Sequence, residues 1–434
     1  MKFSVWTRAL PTALCLIAAI SWAQAAGLPQ DSSEPARTTA DDSTTALMRF
    51  LEARVRLDPE GAGATARLAG VYLQRLRETG SIDYLDLASR AARASLASVP
   101  PIRNITGLLA LARAEFATHD FAGARDRALE LSKLDPGHHD ALLSDALLEL
   151  GDYDGSDAAL RAMVKSQTRL TIEGETRIAR HALLRGDVPD AQGHLSNAIA
   201  LERGVSGLPR ESLAWSQWQL GEYAFSVGDY ETAERLYGDS LSTFPDYFNA
   251  LASTGRVRAA RGDLEGAIKY YERAVARLPD PTFVGALGDL YKLAGRGRDA
   301  AAQYQLVEQI GYLSAASGAL YNRQLALFHA DHDMRSNEAY ESAVKEYEVR
   351  HDIYGADAVA WTALKANKIP EAQAAIKDAS RLGTRDARLF YHAGMIARAA
   401  GDETEARRQI ARAMALNPGF DPLQASILRA EFGQ

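Results

Sequence analysis

The chain has 434 residues but only one cysteine, Cys15, and 15 prolines. With a single thiol no disulfide can form within the chain, so packing alone must stabilise its fold. The scarcity of proline removes the strongest helix breaker, and alanine, the best intrinsic helix former, makes up about 18% of the residues. The composition therefore predicts an all-α protein.

An excess of charge of one sign is also lacking, because 49 basic and 56 acidic residues give a formal net charge of −7. This balance does not predict a basic face, so we expect no nucleic-acid partner. Hydrophobic residues make up 47% of the chain and charged residues 24%, which excludes wholesale disorder. Beyond the first 25 residues no apolar run approaches the ~20 residues that a bilayer requires, so no integral membrane segment is predicted there.

The first 25 residues have the features of an export signal. Lys2 and Arg8 are positive, the run from Ala13 to Ile20 is apolar, and Ala23-Gln24-Ala25 forms a small-x-small cleavage site. We therefore expect residues 1–25 to be a signal peptide and the mature protein to be periplasmic or secreted. The alternative, an N-terminal membrane anchor, is disfavoured because the apolar run is shorter than the ~20 residues of a span.

From Ala46 onward the dominant feature is an internal repeat, marked by a small residue that recurs every 33 to 42 residues. A glycine often stands five residues before it and a proline twelve residues after it, as Gly228 and Pro245 do around Ala233. The recurring small residues are Ala124, Ala158, Ala191, Ala233, Ala267, Ala300, Ala339, Ala372 and Ala406. Three features at one spacing indicate a repeated structural unit.

The unit has the pattern of a helix–turn–helix hairpin. Gln219–Val227 and Tyr230–Thr243 carry apolar residues at helical spacing, and Gly228-Asp229 separates them. Glycine can end the first helix in a left-handed conformation, and aspartate is a favourable N-cap for the second. One hairpin cannot bury its apolar face, so the units are expected to stack.

These motifs resemble the tetratricopeptide repeat (TPR) family, of the exported bacterial kind. The resemblance covers roughly residues 46–420 and implies an all-α, right-handed superhelical solenoid of about ten stacked helix–turn–helix units. Its motif residues are Leu220-Gly221, Ala224, Ala233, Tyr237 and Pro245, then Gly255, Ala267, Tyr271, Ala274 and Pro279, then Gly394, Ala397, Ala406, Ile410, Ala413 and Pro418.

Irregular steps in the repeat suggest a division of the chain. Residues 26–45, rich in Ser, Thr, Asp and Pro, are predicted to be a disordered linker. The interval between the recurring residues Ala191 and Ala233 is 42 residues, longer than the usual 33 or 34. The extra length predicts a joint at 205–213, between an N-terminal stack at 46–204 and a C-terminal stack with a capping tail at 214–434.

Sequence motifs for chemistry are few. His329 and His332 could share one side of a metal on a helix, but the repeat pattern places them in a turn between helices, where a solvated polar turn is expected. Neither HExxH, GxSxG nor a P-loop occurs, and no cysteine remains after the signal as a nucleophile. We therefore predict no catalytic residue, no metal and no cofactor.

Aromatic residues are concentrated in the second half of the chain. Tyr237, Tyr271 and Tyr304 hold the inward position of the second helix and are expected in the core. Other aromatic and polar residues fall on the first helices, at positions that in the TPR family face the concave groove for peptides. The predicted groove residues are Trp215, Trp218, Tyr321, Asn322, Phe328, Tyr354, Asp357, Trp361, Arg388, Tyr391 and His392. The alternative is that some of them pack against a neighbouring repeat.

The sequence thus predicts a non-enzymatic scaffold of the cell envelope that binds a protein or peptide segment in the groove of its C-terminal repeats. Family members that hold acidic chaperone tails use Lys and Asn in the groove, whereas this chain has Glu222, Arg256 and Asp289, so that ligand is not expected. One alternative is an accessory factor or chaperone for an envelope or secretion complex. A second alternative is a hydrolase. Convergent carboxylates or an ordered metal in a cavity would indicate such an enzyme.

Overall fold

A computed structural model describes residues 39–135, 139–316 and 323–432. These residues form 22 α-helices and one short 3₁₀-helix (Pro101–Arg103), with no strand among them, as the composition predicts. The helices are α1 (Thr39–Leu57), α2 (Ala62–Thr79), α3 (Asp83–Ser98), α4 (Ile105–Ala117), α5 (Phe121–Leu134), α6 (Asp140–Leu150), α7 (Tyr153–Ser166), α8 (Ile172–Leu184), α9 (Val188–Gly204), α10 (Arg210–Ser226), α11 (Tyr230–Thr243), α12 (Phe248–Ala260), α13 (Leu264–Arg277), α14 (Pro281–Leu293), α15 (Gly297–Ala316), α16 (Arg323–Asp331), α17 (Ser336–Tyr347), α18 (Ile353–Lys365), α19 (Ile369–Ala379), α20 (Ala387–Ala399), α21 (Glu403–Leu416) and α22 (Pro422–Phe432).

The helices pair into ten hairpins, from α2–α3 to α20–α21, with α1 before and α22 after them. This confirms the all-α solenoid of about ten units. Helix α1 begins at Thr39, inside the segment predicted to be a disordered linker, and the loop before α10 lies within the predicted joint. The predicted signal peptide lies outside the described residues, and the division into two stacks remains a prediction.

The turn inside a hairpin is built as the sequence indicates. Gly228 has a φ of +78°, and the Asp229 carboxylate accepts a hydrogen bond from the backbone N–H of Thr232 at 3.1 Å. The same glycine conformation and aspartate cap recur at Gly151-Asp152, Gly186-Asp187, Gly262-Asp263 and Gly401-Asp402. Glycine fits because a left-handed φ strains residues that have a Cβ.

Close packing within each hairpin explains the small residue of the first helix. A Cβ at Gly221 would lie 2.5 Å from the ring of Tyr237, and one at Gly255 would lie 2.6 Å from the ring of Tyr271. Both tyrosines are buried, as predicted for inward positions of the second helix. The glycine is therefore required because the tyrosine ring packs directly against the backbone of the first helix.

Successive turns of the superhelix contact each other, which the sequence did not indicate. Hairpin turns of the first half contact the loops between hairpins about 200 residues later. A Cβ at Gly186 would lie 2.8 Å from the carbonyl oxygen of Gly383, and one at Gly228 would lie 2.9 Å from that of Leu416. About 200 residues correspond to roughly six units, so six units complete one superhelical turn and the next turn lies directly on it.

We refer to this contact between successive superhelical turns as the seam. The Tyr153 hydroxyl accepts a hydrogen bond from the backbone N–H of Ile353 at 2.8 Å, and the backbone N–H of His351 donates to the carbonyl oxygen of Leu150 at 3.0 Å. Arg350 pairs with the carboxylate of Glu149 at 2.7 Å. These bonds join elements that are remote in the sequence, so the array is not stabilised by neighbouring units alone.

Candidate functional site

The first helix of each hairpin faces the superhelix axis, and we call the residues at this face the inner surface. Its width is set by contacts that cross the axis. The Gln424 side-chain amide on α22 donates to Asp331 Oδ1 on α16 at 3.1 Å. The two helices are three units apart, half of a six-unit turn, so their side chains meet from opposite sides. The axis is therefore narrow in the C-terminal half.

Five of the predicted groove residues are buried because the superhelix is narrow around its axis here. Trp361, Tyr391 and His392 are each 1% exposed, and Phe328 and Asp357 are also buried. The expectation that these five side chains line an open groove is therefore wrong, and the alternative of packing between neighbouring repeats holds for them.

The buried residues form one hydrogen-bonded aromatic cluster. The indole of Trp361 stacks on the imidazole of His392 with ring centres 4.1 Å apart, and its Nε1 donates to Asp331 at 2.9 Å. Tyr391 donates from its hydroxyl to Gln424 at 2.8 Å. Because the polar atoms of both Trp361 and Tyr391 are paired inside the protein, the cluster joins α16, α18, α20 and α22 into one core.

The other predicted groove residues have different surroundings. Tyr354 is 37% exposed, and the Arg388 side chain is 40% exposed. Trp215 and Trp218 are half-buried, and the Trp218 indole donates to the Ser253 hydroxyl at 2.9 Å. Tyr321 and Asn322 lie outside the described residues. Partner binding by the accessible members remains a prediction.

Accessible polar groups converge on the inner surface around Arg388. Its guanidinium contacts the Asp421 carboxylate at 3.0 Å, while Asp386 accepts hydrogen bonds from the backbone N–H groups of Arg388 and Leu389. We define the axial cluster as Asp331, Tyr354, Asp386, Arg388 and Asp421. Tyr354 and Arg388 are among the predicted groove residues, whereas Asp331, Asp386 and Asp421 were not distinguished by their sequence pattern from ordinary helix caps and ends.

The axial cluster is desolvated although water can reach it. Burial raises the pKa of the Asp331 carboxyl, and it also raises the pKa of Asp386; in both cases Arg388 acts in the opposite direction. Both side chains are nevertheless half-buried rather than enclosed. Charged groups on a concave surface lose solvation to the surrounding walls, and this strengthens their interaction with any ligand.

A second polar network lines the inner surface between α10 and α12. Arg256 contacts both carboxylate oxygens of Glu222 at 2.6 Å, and the hydroxyls of Tyr237 and Ser253 donate to the same carboxylate. Although burial opposes it, the charge of Arg256 holds the pKa of Glu222 below its usual range. The Glu222 carboxylate is engaged by donors from both units, so this network packs the two units together.

One buried arrangement has the geometry of a catalytic triad. The Ser156 hydroxyl lies 3.2 Å from His181 Nε2, and His181 Nδ1 lies 2.7 Å from Asp157. However, Ser156 and Ser144 are 0% exposed, and each hydroxyl donates to the backbone carbonyl of the other. A nucleophile needs substrate access, so these residues join α6, α7 and α8 structurally.

His329, in the last turn of α16, and His332, just after that helix, are not solvated, contrary to expectation. His329 contacts Glu308 at 2.5 Å and His332 contacts Asp289 at 2.8 Å. Within 39–135, 139–316 and 323–432, no three His, Cys, Asp or Glu residues are arranged to hold a metal ion. No helix in that part of the chain is both long enough and apolar enough to cross a bilayer.

A cavity of about 330 Å³ lies at the seam. Its walls include Phe116, Phe121 and Arg350, and the Arg350 guanidinium lies 4.6 Å from the centre of the Phe121 ring. Arg350 is also paired with Glu149 and Glu346. The charges of this cavity are compensated within the protein, so it offers no unpaired charge for a ligand.

Comparisons with known proteins agree with the repeat architecture. The sequence profile described as tetratricopeptide repeat matches residues 213–281 and 358–422. Tetratricopeptide repeat protein 36 of Mus musculus is 31% identical over 120 residues, which are 24% of this chain and 64% of the mouse protein, less than two thirds of its length.

Two similar solved structures differ in how much of this chain they cover. The crystal structure of MamA covers 38% of this chain and 94% of its own, at 21% identity and a TM-score of 0.30. Human IFIT1, in a dimer with PPP-AAAA, covers 87% of this chain and 95% of its own, at 15% identity and a TM-score of 0.46.

The fold defines the protein as an α-helical repeat solenoid. The segments 213–281 and 358–422 match the sequence profile of tetratricopeptide repeats. Proteins built from such repeats generally mediate protein–protein interactions, and their fold is typically a non-catalytic scaffold.

Proposed function

We propose that this protein is a non-enzymatic scaffold that binds a segment of another protein along its inner surface. The observation that carries the proposal is the axial cluster, in which Tyr354 and Arg388 are accessible in a desolvated concave site. Desolvated polar groups with solvent access can exchange a few weak contacts with water for stronger contacts with a ligand.

The site of binding differs from the one that the sequence suggested. Trp361 and Tyr391 are part of the core, so a partner segment must contact Tyr354, Arg388 and the neighbouring polar groups instead. Trp215 and Trp218 add partly accessible indole rings on α10. Aromatic and arginine side chains of this kind are frequent interface anchors.

Export to the cell envelope is a second part of the proposal. It is supported by the charged start, the short apolar run and the Ala23-Gln24-Ala25 site. Mass spectrometry of the protein recovered from its native source tests it, with a chain beginning at Ala26 as the expected result. A soluble form that still begins at Met1 would contradict export.

The binding proposal is tested by selecting peptides from a random display library on the full chain. We expect the selected peptides to lose binding to the variants Tyr354→Ala and Arg388→Ala, because both side chains face the axis. Tyr312→Ala is the matched control, since Tyr312 is 75% exposed at the end of α15 and belongs to the second helix of its hairpin.

Thermal melts of the three variants separate binding from folding. Tyr354→Ala should melt close to the parent, since an exposed side chain contributes little to stability. If the selected peptides bind the Tyr354 and Arg388 variants as tightly as the parent, the inner surface is not their site and the proposal fails.

A further inference from the structure

The seam follows one rule along the chain. A Cβ at Gly80, in the turn of the first hairpin, would lie 2.9 Å from the side chain of Leu278, in the loop after the sixth hairpin. The turns at Gly151, Gly186 and Gly228 likewise lie against the loops after the eighth, ninth and tenth hairpins. Each of these turns is therefore covered by the loop that follows the hairpin five units later.

Beyond the fifth hairpin, turns of the same kind are uncovered. A Cβ at Gly262, Gly295 or Gly401 would meet no atom of the described residues within 4 Å. We call these three the open turns. An apolar groove of about 200 Å³ lies between Gly262 and α22, and its walls include Leu264 and Leu293. The open turns thus present the surface that is covered elsewhere along the seam.

The loops at the start of the solenoid show the complementary feature, because they carry exposed apolar side chains. We call the segments after α1, after the first hairpin and after the fourth hairpin the open loops. Their exposed apolar residues are Leu57, Ile102, Val205 and Leu208. Leu57 is 86% exposed, whereas Leu416, at the corresponding place after the tenth hairpin, is buried and lies over Gly228. The open loops are therefore built like loops of the seam but have no turn against them.

Helix α1 has the pattern of a second helix that lacks its first helix. Ala46 and Phe50 repeat the spacing of Ala233 and Tyr237. Tyr237 is buried because Gly221 of its own first helix packs on the ring, whereas Phe50 is 64% exposed. A terminal unit that caps a solenoid has a polar outer face. The outer face of α1 is apolar instead, which is typical of an interaction surface.

Helix α22 is the matching half, a first helix without a second. It packs on α20 and α21 through Ala425 and Leu428, and no second helix follows it among the described residues. In the expected mature chain only residues 26–38 precede α1, and Pro29 and Pro35 disfavour a first helix there. A second copy of the chain can supply the missing helix at either end.

We infer that a second copy of this chain docks head to tail on the first. Its α1 packs on α22 as the second helix of an eleventh hairpin, and its open loops cover the open turns. The contacts that form the seam within one chain then recur between two chains, and they bury the exposed apolar side chains of both ends. Because the two docking faces differ, each copy can bind a further one, and the superhelix continues as an open filament.

The rule of the seam fixes the register of this contact. The turn of the sixth hairpin takes the loop after the eleventh, so Leu57 of the docking copy lies over Gly262 and enters the apolar groove. By the same count, Ile102 of the docking copy lies over Gly295, and the loop after its fourth hairpin lies over Gly401. The contact thus places exposed apolar residues on turns that have room for them.

Sedimentation velocity of the mature chain, expected to begin at Ala26, tests the inference. We expect the average mass to rise with concentration and to exceed that of a dimer, because an unoccupied face remains at each end. The loop-side variant Phe50→Asp/Ile102→Asp and the turn-side variant Leu293→Asp should each weaken assembly about tenfold or more. Thermal melts show whether the variants fold; Phe50 and Ile102 are exposed, so the loop-side variant should melt close to the parent.

Ile82→Asp is the matched control for the apolar-to-acidic change. Ile82 is also an exposed isoleucine, but it lies beside Gly80, whose turn is already covered by Leu278 of the same chain. This variant should assemble like the parent. Loss of assembly in this control would show that added negative charge, and not the open loops and turns, governs association, and it would overturn the inference.

Mixing the loop-side and turn-side variants distinguishes head-to-tail docking from a symmetric dimer. Each variant keeps one intact face, so the mixture should form complexes of two copies and none larger, although each variant alone stays monomeric. Assembly of the loop-side variant like the parent, or a mixture that stays monomeric, would overturn the inference. A parent that is monomeric at about 100 μM would do the same and leave both faces to another protein. None of these results affects peptide binding at the inner surface, which lies within one copy.

Discussion

The side-chain amide of Asn417 donates a hydrogen bond of 2.7 Å to the backbone carbonyl oxygen of Phe225, a residue 192 positions earlier in the chain. Asn417 Oδ1 also accepts a bond of 2.6 Å from the hydroxyl of Tyr230. One buried side chain thus connects the turn after α10 with the loop before α22. This connection is one example of the contacts by which the seam joins two superhelical turns.

We expect Asn417→Ala to destabilise the protein by about 1–3 kcal/mol, because it removes the hydrogen bond to the Phe225 carbonyl and the one from the Tyr230 hydroxyl. Hydrogen exchange should increase both near Asn417 and near Tyr230. In an array stabilised only by neighbouring units, the second region would be unaffected. Asn337→Ala, an exposed position on α17, serves as the control and should change stability by less than about 0.5 kcal/mol. Unchanged exchange near Tyr230 would argue against the seam in solution.

Substitutions of two glycines in one hairpin should have opposite effects. Gly221→Ala places a methyl group against the Tyr237 ring and should cost about 1–3 kcal/mol through overpacking. Gly238→Ala, on the exposed face of α11 with open space around it, should stabilise by about 0.5–1 kcal/mol through helix propensity. Urea denaturation followed by circular dichroism measures both, and effects of the same sign would contradict the packing described.

Trp361→Ala should cost about 3–5 kcal/mol of stability, as expected for a large buried aromatic residue. Tyr271→Ala, at a core position of the second helix, should cost a similar amount and is the reference. Trp218 is only half-buried, so Trp218→Ala should melt at a higher temperature than either. A Trp361 variant that melts like the parent would show that the aromatic cluster is open in solution and that a groove exists there.

The stability should also depend on pH through Glu202, near the loop before α10. Burial raises the pKa of Glu202 to about 7 from an ordinary value of 4.5, and the charge of Glu211 adds to this. Between these values the folded state keeps a proton that the unfolded state has lost. Stability should therefore fall as the pH rises from about 4.5 to about 7, then level off, with a total change on the order of 3 kcal/mol.

Glu202→Gln isolates this effect, because glutamine keeps the neutral shape at every pH. Melts over the same pH range should show a flatter profile for the variant and a higher melting temperature than the parent at pH 8. An identical pH profile for both proteins would mean that other groups dominate the titration.

Much of the fold was predictable because its signals are local. Gly228 and Asp229 act within one turn, and the small residues opposite Tyr237 and Tyr271 act within one hairpin, so their spacing could be read from the sequence. The candidate site was predicted less well. Its position on first helices followed from the repeat, but the exposure of Trp361 depends on how narrow the axis is, and no local pattern encodes that width.

The sequence by itself determined the helices, their caps, the pairing into hairpins and the number of units, since each depends on residues within about 34 positions of one another. Only the tertiary structure decided which aromatic residues are core, which acidic residues meet at Arg388, and that Asn417 bonds to Phe225. Small rotations between neighbouring units accumulate along a solenoid, and their sum over six units sets the superhelical pitch and the width of the axis. That sum belongs to the whole chain and not to any one repeat.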